Sequence, residues 1–518
     1  MAKAIIDGTE IEVDRGTSIL RAAADAGHEI PHFCYHPALS SPANCRMCLV
    51  EVEGMPKLMP SCYTQVSDNM VVHTKSERVI KAQKAVLEFI LINHPVDCPI
   101  CDQAGECKLQ DYYIDYDTQD SRLRSQKQNK VKGHVIGPEV VYDGERCILC
   151  TRCVRFCEEV TQTEELTIVE RGDRAEIRTF PGKSLDNDYS MCVTDICPVG
   201  ALTARDFRFK CRVWLLTSTE SICTGCSQGC NIHLDHFRNE IQRYRPRHNA
   251  EVNDYWMCDS GRLSYADLHK DRLLSPLVNG AEANWFEVTR TTAKKLTKAL
   301  EDEKNIAFVV SPQASCEDLQ IVKRFTNDVL KTEALYLGGN AAGKSDDLLI
   351  RSDKNPNRRG MEAVFGETEF KPFSELISEM KAGKVDLLYM MGSELPVTSE
   401  LKVQFLDALS EVELFIFQSP HHGAWSEKSN IALPASTHAE KSGTFVNEKG
   451  IAQGFEKAFS PAGDAMPDGD ILTKVAQKMG VDFGYKTFSE LQEAMFFVPE
   501  VEPQDAGEEP VQTEPSAE

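Results

Sequence analysis

The sequence has no long apolar segment and carries little positive charge. No apolar run approaches the roughly 18 residues that a membrane-spanning helix needs, so direct insertion into a membrane is not expected. Lysine and arginine number 57 against 80 aspartates and glutamates, which gives a net charge of −23. This charge disfavours binding to nucleic acid or anionic lipid, because the electrostatic attraction has the wrong sign. Protein partners remain open.

No targeting segment is recognisable at the N-terminus. The chain runs from Met1 into a short apolar stretch at 4–6, without a charged region followed by an apolar core and without an Arg/Ser-rich transit segment. A cytoplasm-like, bacterial compartment is therefore expected. Because thiols stay reduced in such a compartment, many cysteines indicate metal or cluster ligation rather than disulfides.

Cysteine is almost absent from the second half of the chain and crowded into the first. Of 19 cysteines, only Cys316 follows Cys258. The others include four groups at metal-ligand spacing, which favours iron-sulfur clusters. A chain of 518 residues, 42% of them apolar, is also long enough for several packed cores.

The first group has the spacing C-x10-C-x2-C-x13-C. Its members are Cys34, Cys45, Cys48 and Cys62. The surrounding sequence predicts strands at 4–6, 11–13, 47–52 and 70–73, and a helix at 18–26 that ends at Gly27. Strands around one helix favour a 2Fe-2S ferredoxin-like module, although the spacing differs from the plant-type C-x4-C-x2-C. A tetrahedral zinc site would also use four thiolates.

The second group combines one histidine with three cysteines. Its members are His94, Cys98, Cys101 and Cys107. Apolar residues at helical spacing predict an amphipathic helix that begins near Ser76 and is stopped by Pro95, which places His94 at the helix end. A neutral imidazole in place of a thiolate removes one negative charge and tends to raise the reduction potential. The alternative is a structural histidine that ends the helix.

The third group, C-x2-C-x2-C-x3-C, is the most specific signal in the chain. It comprises Cys147, Cys150, Cys153 and Cys157. Three thiolates two residues apart suit one face of a 4Fe-4S cubane, and zinc sites rarely use such a triple. In bacterial ferredoxins proline follows the fourth cysteine, but here Glu158 follows Cys157 and Pro198 follows Cys197. Cys197 is therefore the predicted fourth ligand, and Cys157 and Cys192 are interpreted as buried free thiols.

The fourth group has the spacing C-x2-C-x3-C-x27-C. Its members are Cys223, Cys226, Cys230 and Cys258. Gly225 and Gly229 are expected to let the backbone turn tightly around a 4Fe-4S cluster, with zinc as the alternative. Cys211 and Cys316 have no partner at ligand spacing and are interpreted as core residues.

Alternating strand and helix signals in the second half predict an α/β domain. Strands are predicted at 306–310, 334–337, 385–391 and 414–418, with helices at 316–330 and 373–382. The sequence GGNAAGKS at 338–345 matches a phosphate-binding loop. A truncated following helix and the absence of an aspartate after the strand at 385–391 argue against nucleotide binding.

Two further features of the second half are interpreted without a site. His421 and His422 are predicted to be loop residues. Residues 499–518 contain seven acidic residues, four prolines and neither lysine nor arginine, which predicts a disordered acidic tail.

The order of these groups resembles one known family. A 2Fe-2S module, a one-histidine, three-cysteine site, C-x2-C-x2-C with a distant CPVGAL, and C-x2-C-x3-C-x27-C together resemble the large iron-sulfur subunit, or G subunit, of bacterial respiratory complex I, the NADH:quinone oxidoreductase. Residues 1–275 carry the stronger resemblance and 276–500 a looser one. Within the latter, SNIALPASTHAEKSGTFVNEK at 429–449 is similar to a signature of the molybdopterin oxidoreductase fold.

Related modules occur in iron-only hydrogenases and in NAD-linked formate dehydrogenases. Hydrogenases need several further cysteines for their active-site cluster, and here only Cys316 remains. Molybdenum formate dehydrogenases usually have histidine after the metal-binding cysteine and a lysine after the last cluster cysteine, whereas here Glu317 follows Cys316 and Asp259 follows Cys258. An iron-sulfur and molybdopterin subunit of a formate dehydrogenase is kept as the alternative.

The resemblance implies an electron-transfer subunit without a substrate-converting site of its own. It implies one 2Fe-2S and three 4Fe-4S clusters, no molybdopterin, and partners that include a flavin-bearing NADH dehydrogenase subunit and other peripheral-arm subunits. It also implies a place on the cytoplasmic side of the bacterial inner membrane, held there through the complex. The 2Fe-2S centre and the clusters of Cys147 and His94 are expected on the main path, and the cluster of Cys223 on a branch.

The predicted fold class is a multidomain one, α+β followed by α/β. The expected units are a 2Fe-2S ferredoxin-like (β-grasp) domain at 1–78, a 4Fe-4S domain with one histidine ligand at 79–120, a 4Fe-4S ferredoxin-like domain at 138–214 and a 4Fe-4S domain of molybdopterin-oxidoreductase type at 215–275. A shortened, degenerate molybdopterin-oxidoreductase-like α/β domain follows at 276–498, and the acidic tail at 499–518.

Overall fold

The structure is a computed structural model that describes residues 1–116, 121–392, 399–485 and 490–491. The predicted acidic tail at 499–518 lies outside the described residues. Within these ranges, no helix is both long and apolar enough to cross a membrane. Four small cysteine-rich modules precede a larger α/β domain, in the predicted order.

The first module is a five-stranded sheet with one helix. Its elements are β1 (Ala2–Ile6), β2 (Thr9–Val13), α1 (Ile19–Asp25), β3 (Leu49–Val52), β4 (Met59–Pro60) and β5 (Met70–His73). The strand order is β2-β1-β5-β3-β4, with β1 antiparallel to β2 and parallel to β5. Ser18 caps α1 by accepting the Arg21 N–H, and the helix buries Ile19 and Leu20. The ferredoxin-like fold and its predicted strands are confirmed.

The second module contains two helices that flank a turn. They are α2 (Glu77–Leu91) and α3 (Lys108–Tyr116). Ser76 caps α2 by accepting the Val79 N–H, 3.3 Å away. The helix ends at Leu91, earlier than predicted, so His94 lies beyond it. The physical reason is that Pro95 disfavours a helical conformation at the preceding residue.

The third module combines a small sheet, a hairpin and two short helices. Its elements are β6 (His134–Val135), β7 (Val140–Tyr142), α4 (Arg152–Glu159), β8 (Leu166–Val169), β9 (Glu176–Thr179), α5 (Cys192–Ile196) and β10 (Leu202–Ala204). The sheet has the order β10-β7-β6, and β8 pairs with β9. Helix α4 presents Cys153, Phe156 and Cys157 to the interior. The module therefore packs around its own cysteines.

The fourth module is a three-stranded antiparallel sheet followed by one helical turn. Its elements are β11 (Thr217–Ile222), β12 (Asn231–Phe237), β13 (Glu240–Pro246) and α6 (Asp259–Leu263). The turn between β11 and β12 carries three of the four cysteines. Cys258 is the cap residue of α6, and its sulfur accepts the Gly261 N–H at 3.4 Å.

The C-terminal domain is built on a seven-stranded sheet. In chain order its elements are β14 (Leu277–Val278), β15 (Ala281–Glu282), α7 (Trp285–Glu301), β16 (Ile306–Val310), α8 (Cys316–Arg324), β17 (Leu335–Leu337), α9 (Arg358–Phe365), α10 (Phe373–Lys381), β18 (Leu387–Met391), α11 (Ser399–Ala408), β19 (Leu414–Ser419), α12 (Ala424–Lys428), β20 (Ile431–Pro434), β21 (Gly443–Val446), β22 (Ala452–Phe455) and α13 (Asp468–Lys478). The strand order is β15-β14-β20-β19-β18-β16-β17, and the strands from β16 to β20 run parallel.

Both faces of this sheet are covered by helices. Every residue of β16 and β18 is buried, which is typical of parallel strands between two helical layers. Phe308 and Tyr389 face one apolar core, and Val309 and Met390 face the other. The predicted α/β domain is confirmed. Its helix at 316–330 is α-helical only to Arg324 and continues as a π-helix, Phe325–Leu330.

Candidate functional site

The four cysteines of the first group face one another between β3, β4 and the preceding loop. The Cys45 thiol interacts with that of Cys34, and the thiols of Cys34 and Cys48 interact with that of Cys62. The Cys34 N–H also lies 3.5 Å from Cys45 Sγ. The structure therefore brings together the complete set of side chains predicted for the 2Fe-2S site.

Three cysteines of the second group lie on the turn between α2 and α3. Cys101 and Cys107 are buried, and both have Cys98 as an electrostatic neighbour. Burial raises the pKa of Cys107 to about 11. The buried thiol therefore gives up its proton only where a positively charged group binds in exchange.

His94 lies at the start of the same turn. The Val96 N–H donates to its Nδ1 at 3.2 Å, which orients the ring. Burial lowers the pKa of His94 to about 4, so the ring is neutral at pH 7, the form that ligation requires. Its charged neighbours include Asp97, Lys127 and Arg146. The ligand role of His94 stays a prediction.

A small cavity is lined by the four cysteines predicted for the third cluster. They are Cys147, Cys150, Cys153 and Cys197. Burial raises the pKa of both Cys147 and Cys197 to about 11, and the Leu149 N–H donates to Cys147 Sγ at 3.4 Å. Tyr142 and Ile177 help to enclose the space. Four thiols around one enclosed, largely apolar space fit a cubane that all four would hold.

The two leftover cysteines of this module lie elsewhere. Cys157 lies on α4, one turn after Cys153, and is fully buried. It is not among the described residues that line the cavity. Cys192 is fully buried and donates its S–H to the Met257 carbonyl at 3.2 Å. These placements support the interpretation of both as buried free thiols.

The cysteines of the fourth group converge between the β11–β12 turn and α6. Cys230 has the other three thiols as electrostatic neighbours, and the Cys223 N–H donates to its carbonyl at 2.8 Å. A Cβ added at Gly261 would lie 3.0 Å from Cys223 Sγ and 3.2 Å from Cys258 Sγ. Because Gly261 has no side chain, space remains between the sulfurs of two predicted ligands, Cys223 and Cys258.

Left-handed backbone conformations occur within two residues of predicted ligands in all four groups. Non-glycine residues with positive φ include Arg46, Val96, Leu149 and Thr151, of which the last two flank Cys150. This conformation is uncommon for β-branched residues and persists where the surroundings enforce it, as at functional sites. In the fourth group Gly229 has φ +62°, as expected, whereas Gly225 does not have a positive φ.

The CPVG segment contributes to two groups at once. Cys197 lines the third cavity, while the Pro198 carbonyl lies 3.9 Å from Cys107 Sγ. A Cβ added at Gly200 would lie only 2.4 Å from Cys101 Sγ. The short segment Cys197 to Gly200 therefore lies between the second and third groups and contacts both. Sequence reasoning identified Cys197 but missed Gly200.

Buried arginines join the cysteine-bearing loops. Arg146, next to Cys147, forms a bidentate ion pair with Asp97, next to Cys98, at 2.8 and 3.0 Å. Its side chain is only 5% exposed, so this pair is shielded from solvent and links the second and third groups. Sequence reasoning also missed Arg146, although its position next to the predicted ligand Cys147 offered a signal.

Three more arginines connect the remaining groups to the third. Arg155 donates to the carbonyls of Cys34 and Ser40, and Arg152 to that of Ile196 at 3.0 Å and to that of Tyr35. Arg262, which follows the last cysteine of the fourth group, pairs with Asp195, two residues before Cys197. The third group thus has direct links to each of the others.

The C-terminal domain covers the fourth group. The Ser227 N–H donates to the Asp353 carbonyl at 2.9 Å, and the Glu448 N–H donates to the Ser227 carbonyl at 2.9 Å. Gln453 Nε2 donates to the Gly229 carbonyl at 3.0 Å. The signature segment and its neighbour β22 therefore hold the cysteine turn in place.

The phosphate-loop-like segment at 338–345 has a structural role. No helix begins between Leu337 and Arg358 in this fully described stretch, although such a loop needs a helix N-terminus directly after it. Instead Lys344 pairs with Asp188, and Asp346 accepts the Tyr189 hydroxyl at 2.7 Å. The segment fastens the C-terminal domain to the third module. His421 and His422 are loop residues, as predicted.

Comparison with family models divides the chain in the same order. The 2Fe-2S iron-sulfur cluster binding domain matches residues 3–77, and the NADH-ubiquinone oxidoreductase-G iron-sulfur binding region matches 83–122. The ferredoxin-like domain of NADH-quinone oxidoreductase subunit 3 matches 137–203. The molybdopterin oxidoreductase Fe4S4 domain matches 216–270 and the molybdopterin oxidoreductase model 354–478.

Whole-chain relatives decide the family. The G subunit of the NADH-quinone oxidoreductase of Rickettsia conorii is 31% identical over an alignment that covers 95% of this chain and 90% of that protein. The chain belongs to the G-subunit family of NADH-quinone oxidoreductases. A second relative, the NADH-ubiquinone oxidoreductase 75 kDa subunit of Reclinomonas americana, is 41% identical over 69% of this chain and 53% of that protein.

Solved structures also match part of the chain. One example is the NAD+-reducing [NiFe]-hydrogenase in the H2-reduced state, 27% identical, with a TM-score of 0.37 over 41% of this chain and 91% of that one. Membership of the G-subunit family confirms the predicted recognition, fold class and role as an electron-transfer subunit of an oxidoreductase complex. The chain contains 2Fe-2S and 4Fe-4S binding domains. Exact domain boundaries and ligand residues stay predictions.

No three His, Cys, Asp or Glu side chains in the described part of the chain converge as a site for a single metal ion.

Proposed function

We propose that this chain holds one 2Fe-2S and three 4Fe-4S clusters and conducts electrons from a flavin-bearing NADH dehydrogenase subunit towards quinone. The proposed ligands are Cys34, Cys45, Cys48, Cys62, His94, Cys98, Cys101, Cys107, Cys147, Cys150, Cys153, Cys197, Cys223, Cys226, Cys230 and Cys258. The clusters, when bound, supply the one-electron redox chemistry. The proposed location is the cytoplasmic side of the bacterial inner membrane, where other subunits of the complex hold the chain.

The central position of the third group carries this proposal. Arg152 and Arg155 join it to the first group, Arg146 and the CPVG segment join it to the second, and Arg262 joins it to the fourth. A path from the first through the third to the second group is therefore contiguous. The fourth group joins the third through the Arg262–Asp195 pair and the second through the Arg243–Glu106 pair. Its assignment to a branch rests on the family resemblance.

The protein supplies position, burial and charge. Buried cysteines exclude water from the sites, and N–H groups such as that of Gly261 point at ligand sulfurs, an arrangement that tunes reduction potentials. Buried Arg146 has Cys101 as an electrostatic neighbour, and Arg152 has Cys150 and Cys197. Positive charge at these places stabilises thiolates and favours the reduced, more negative state of a bound cluster.

Iron and sulfide content of the anaerobically purified protein tests the proposal. We expect about 14 irons with matching sulfide, from one 2Fe-2S and three 4Fe-4S clusters, together with EPR signals after dithionite reduction. Molybdenum in stoichiometric amount would make the chain a formate dehydrogenase-type subunit instead. Zinc without a reducible EPR signal would contradict electron transfer altogether.

Replacing His94 with cysteine should lower the reduction potential of the second cluster. A thiolate adds one negative charge that the neutral ring does not carry, and histidine-ligated clusters lie higher in potential, which predicts a shift of about 100 mV or more. An EPR-monitored redox titration measures this shift. His134→Cys, which adds a thiol at an exposed position on β6, is the control. Equal potentials in His94→Cys and the unchanged protein would remove His94 from the ligand set.

A further inference from the structure

An exposed apolar patch lies directly outside the second group. We define the aromatic patch as Ile100, Phe209, Trp214 and Leu215, which are 65%, 66%, 63% and 47% exposed. Isolated exposed apolar residues are ordinary, but a contiguous set of large ones marks a binding surface.

Direct contacts hold the patch against the ligand turn. Arg212 donates to the Pro99 carbonyl at 2.6 Å and to the Cys101 carbonyl at 2.7 Å, on either side of Ile100. The Phe209 N–H donates to Asp102 Oδ1 at 2.8 Å. A Cβ added at Gly105 would lie 3.0 Å from the Trp214 ring. These contacts therefore hold Phe209 and Trp214 around the turn that carries Ile100, and Leu215 lines a groove together with Phe209.

The surroundings of the patch are basic. The segment 205–212 carries Arg205, Arg208, Lys210 and Arg212 against a single acidic residue, Asp206, within a chain of net charge −23. The Arg208 guanidinium lies 4.8 Å from the Phe209 ring centroid, and that of Arg212 lies 5.6 Å from the Trp214 ring.

A groove extends the patch towards the fourth module. It is lined by the apolar side chains of Phe209, Leu215 and Phe237. Three cations, Lys210, Arg212 and Arg238, and two carboxylates, Asp102 and Glu240, also line it. Asp102 accepts the Phe209 N–H, so the cations outnumber the free carboxylates here. An apolar floor with an excess of cations suits a protein segment that presents apolar side chains between carboxylates.

We propose that the aromatic patch docks an acidic surface of another subunit of the oxidoreductase complex. Phe209 and Trp214 are the apolar anchors, and Arg238, whose guanidinium lies over the Phe237 ring, pairs with a carboxylate of the partner. This docking proposal rests on the proposed function in one respect, because it assumes that the partner belongs to the same complex. Aromatic and arginine residues at the centre of an interface are the ones that commonly dominate its binding energy.

Photo-crosslinking in the intact complex tests the docking. A benzophenone amino acid replaces Phe209 in one variant and Phe286 in the control, because both rings are 66% exposed and Phe286 lies on α7, in the C-terminal domain. We expect the first to crosslink to an Asp/Glu-rich segment of another subunit and the second not to do so. Adducts with a second copy of this chain or with lipid, equal adducts from both positions, or none from position 209 would overturn the proposal.

Substitutions then measure the contribution of the patch. Phe209→Ser and Arg238→Glu should each weaken retention of the crosslinked subunit about tenfold or more, whereas Phe286→Ser should not. Iron content and EPR signals should remain unchanged in all three, since none of these residues is a ligand. Full retention by the patch variants would refute the docking alone, while missing clusters in the unchanged protein would refute the proposed function instead.

Discussion

Replacing Cys197 with serine should remove the third cluster and stop electron transfer from NADH to quinone, whereas replacing Cys157 should leave both in place. Cys197 lines the cavity with the three cysteines of the C-x2-C-x2-C run, and Cys157 packs elsewhere. Because the third group links the other three, we expect the rate of quinone reduction to fall about 100-fold or more. This is a larger loss than the roughly 10- to 100-fold that usually follows removal of a residue that only supports a ligand.

EPR of the reduced complex and the rate of quinone reduction check this pair of variants together. Cys157→Ser is a matched control, because it makes the same chemical change at a buried thiol of the same module. Its expected cost is confined to stability, about 1–2 kcal/mol for a buried polar replacement. Loss of the third signal in Cys157→Ser, with retention in Cys197→Ser, would reverse the ligand assignment.

Cysteine spacing predicted which cysteines lie near one another, because side chains a few residues apart in a turn are also close in space. In the second, third and fourth groups, a single loop or one turn of helix is enough to bring the cysteines of each C-x2-C run together. The distant Cys197 was found through the proline that follows it, and the structure places it in the same cavity as Cys147. The buried strands β16, β18 and β19 were likewise predicted within two residues, since unbroken apolar runs identify them.

Contacts between modules could not be predicted from the sequence. Arg155 and Cys34 are 121 residues apart, and no local pattern indicates that a guanidinium on α4 binds a carbonyl in the first module. The positive φ of Val96 and Thr151 is also imposed by tertiary packing, against the intrinsic preference of β-branched residues. The GGNAAGKS segment shows the opposite failure. Its sequence matches a phosphate-binding loop, but the helix that such a loop requires does not follow it in this fully described stretch.

Gly200→Ala should remove the second cluster, although Gly200 is not itself a ligand. The new Cβ would lie 2.4 Å from Cys101 Sγ and 3.0 Å from the Cβ of Gln103, distances that packed atoms do not tolerate. Cys101 cannot turn away without leaving the cluster, so the added methyl group displaces a proposed ligand. We expect loss of the second EPR signal, a large fall in quinone reduction, and about 1–3 kcal/mol of destabilisation from overpacking.

Gly225→Ala is the matched control for this substitution. Gly225 also lies beside a proposed ligand, but an added Cβ would be 3.6 Å from Cys223 Sγ and 3.5 Å from the Gly261 Cα, which is ordinary van der Waals contact. The fourth cluster should therefore survive. Should Gly200→Ala retain the second signal at full intensity, Cys101 Sγ would have to lie farther from the CPVG segment when the cluster is bound. That result would also contradict the proposal that this segment provides a short electron path between the second and third groups.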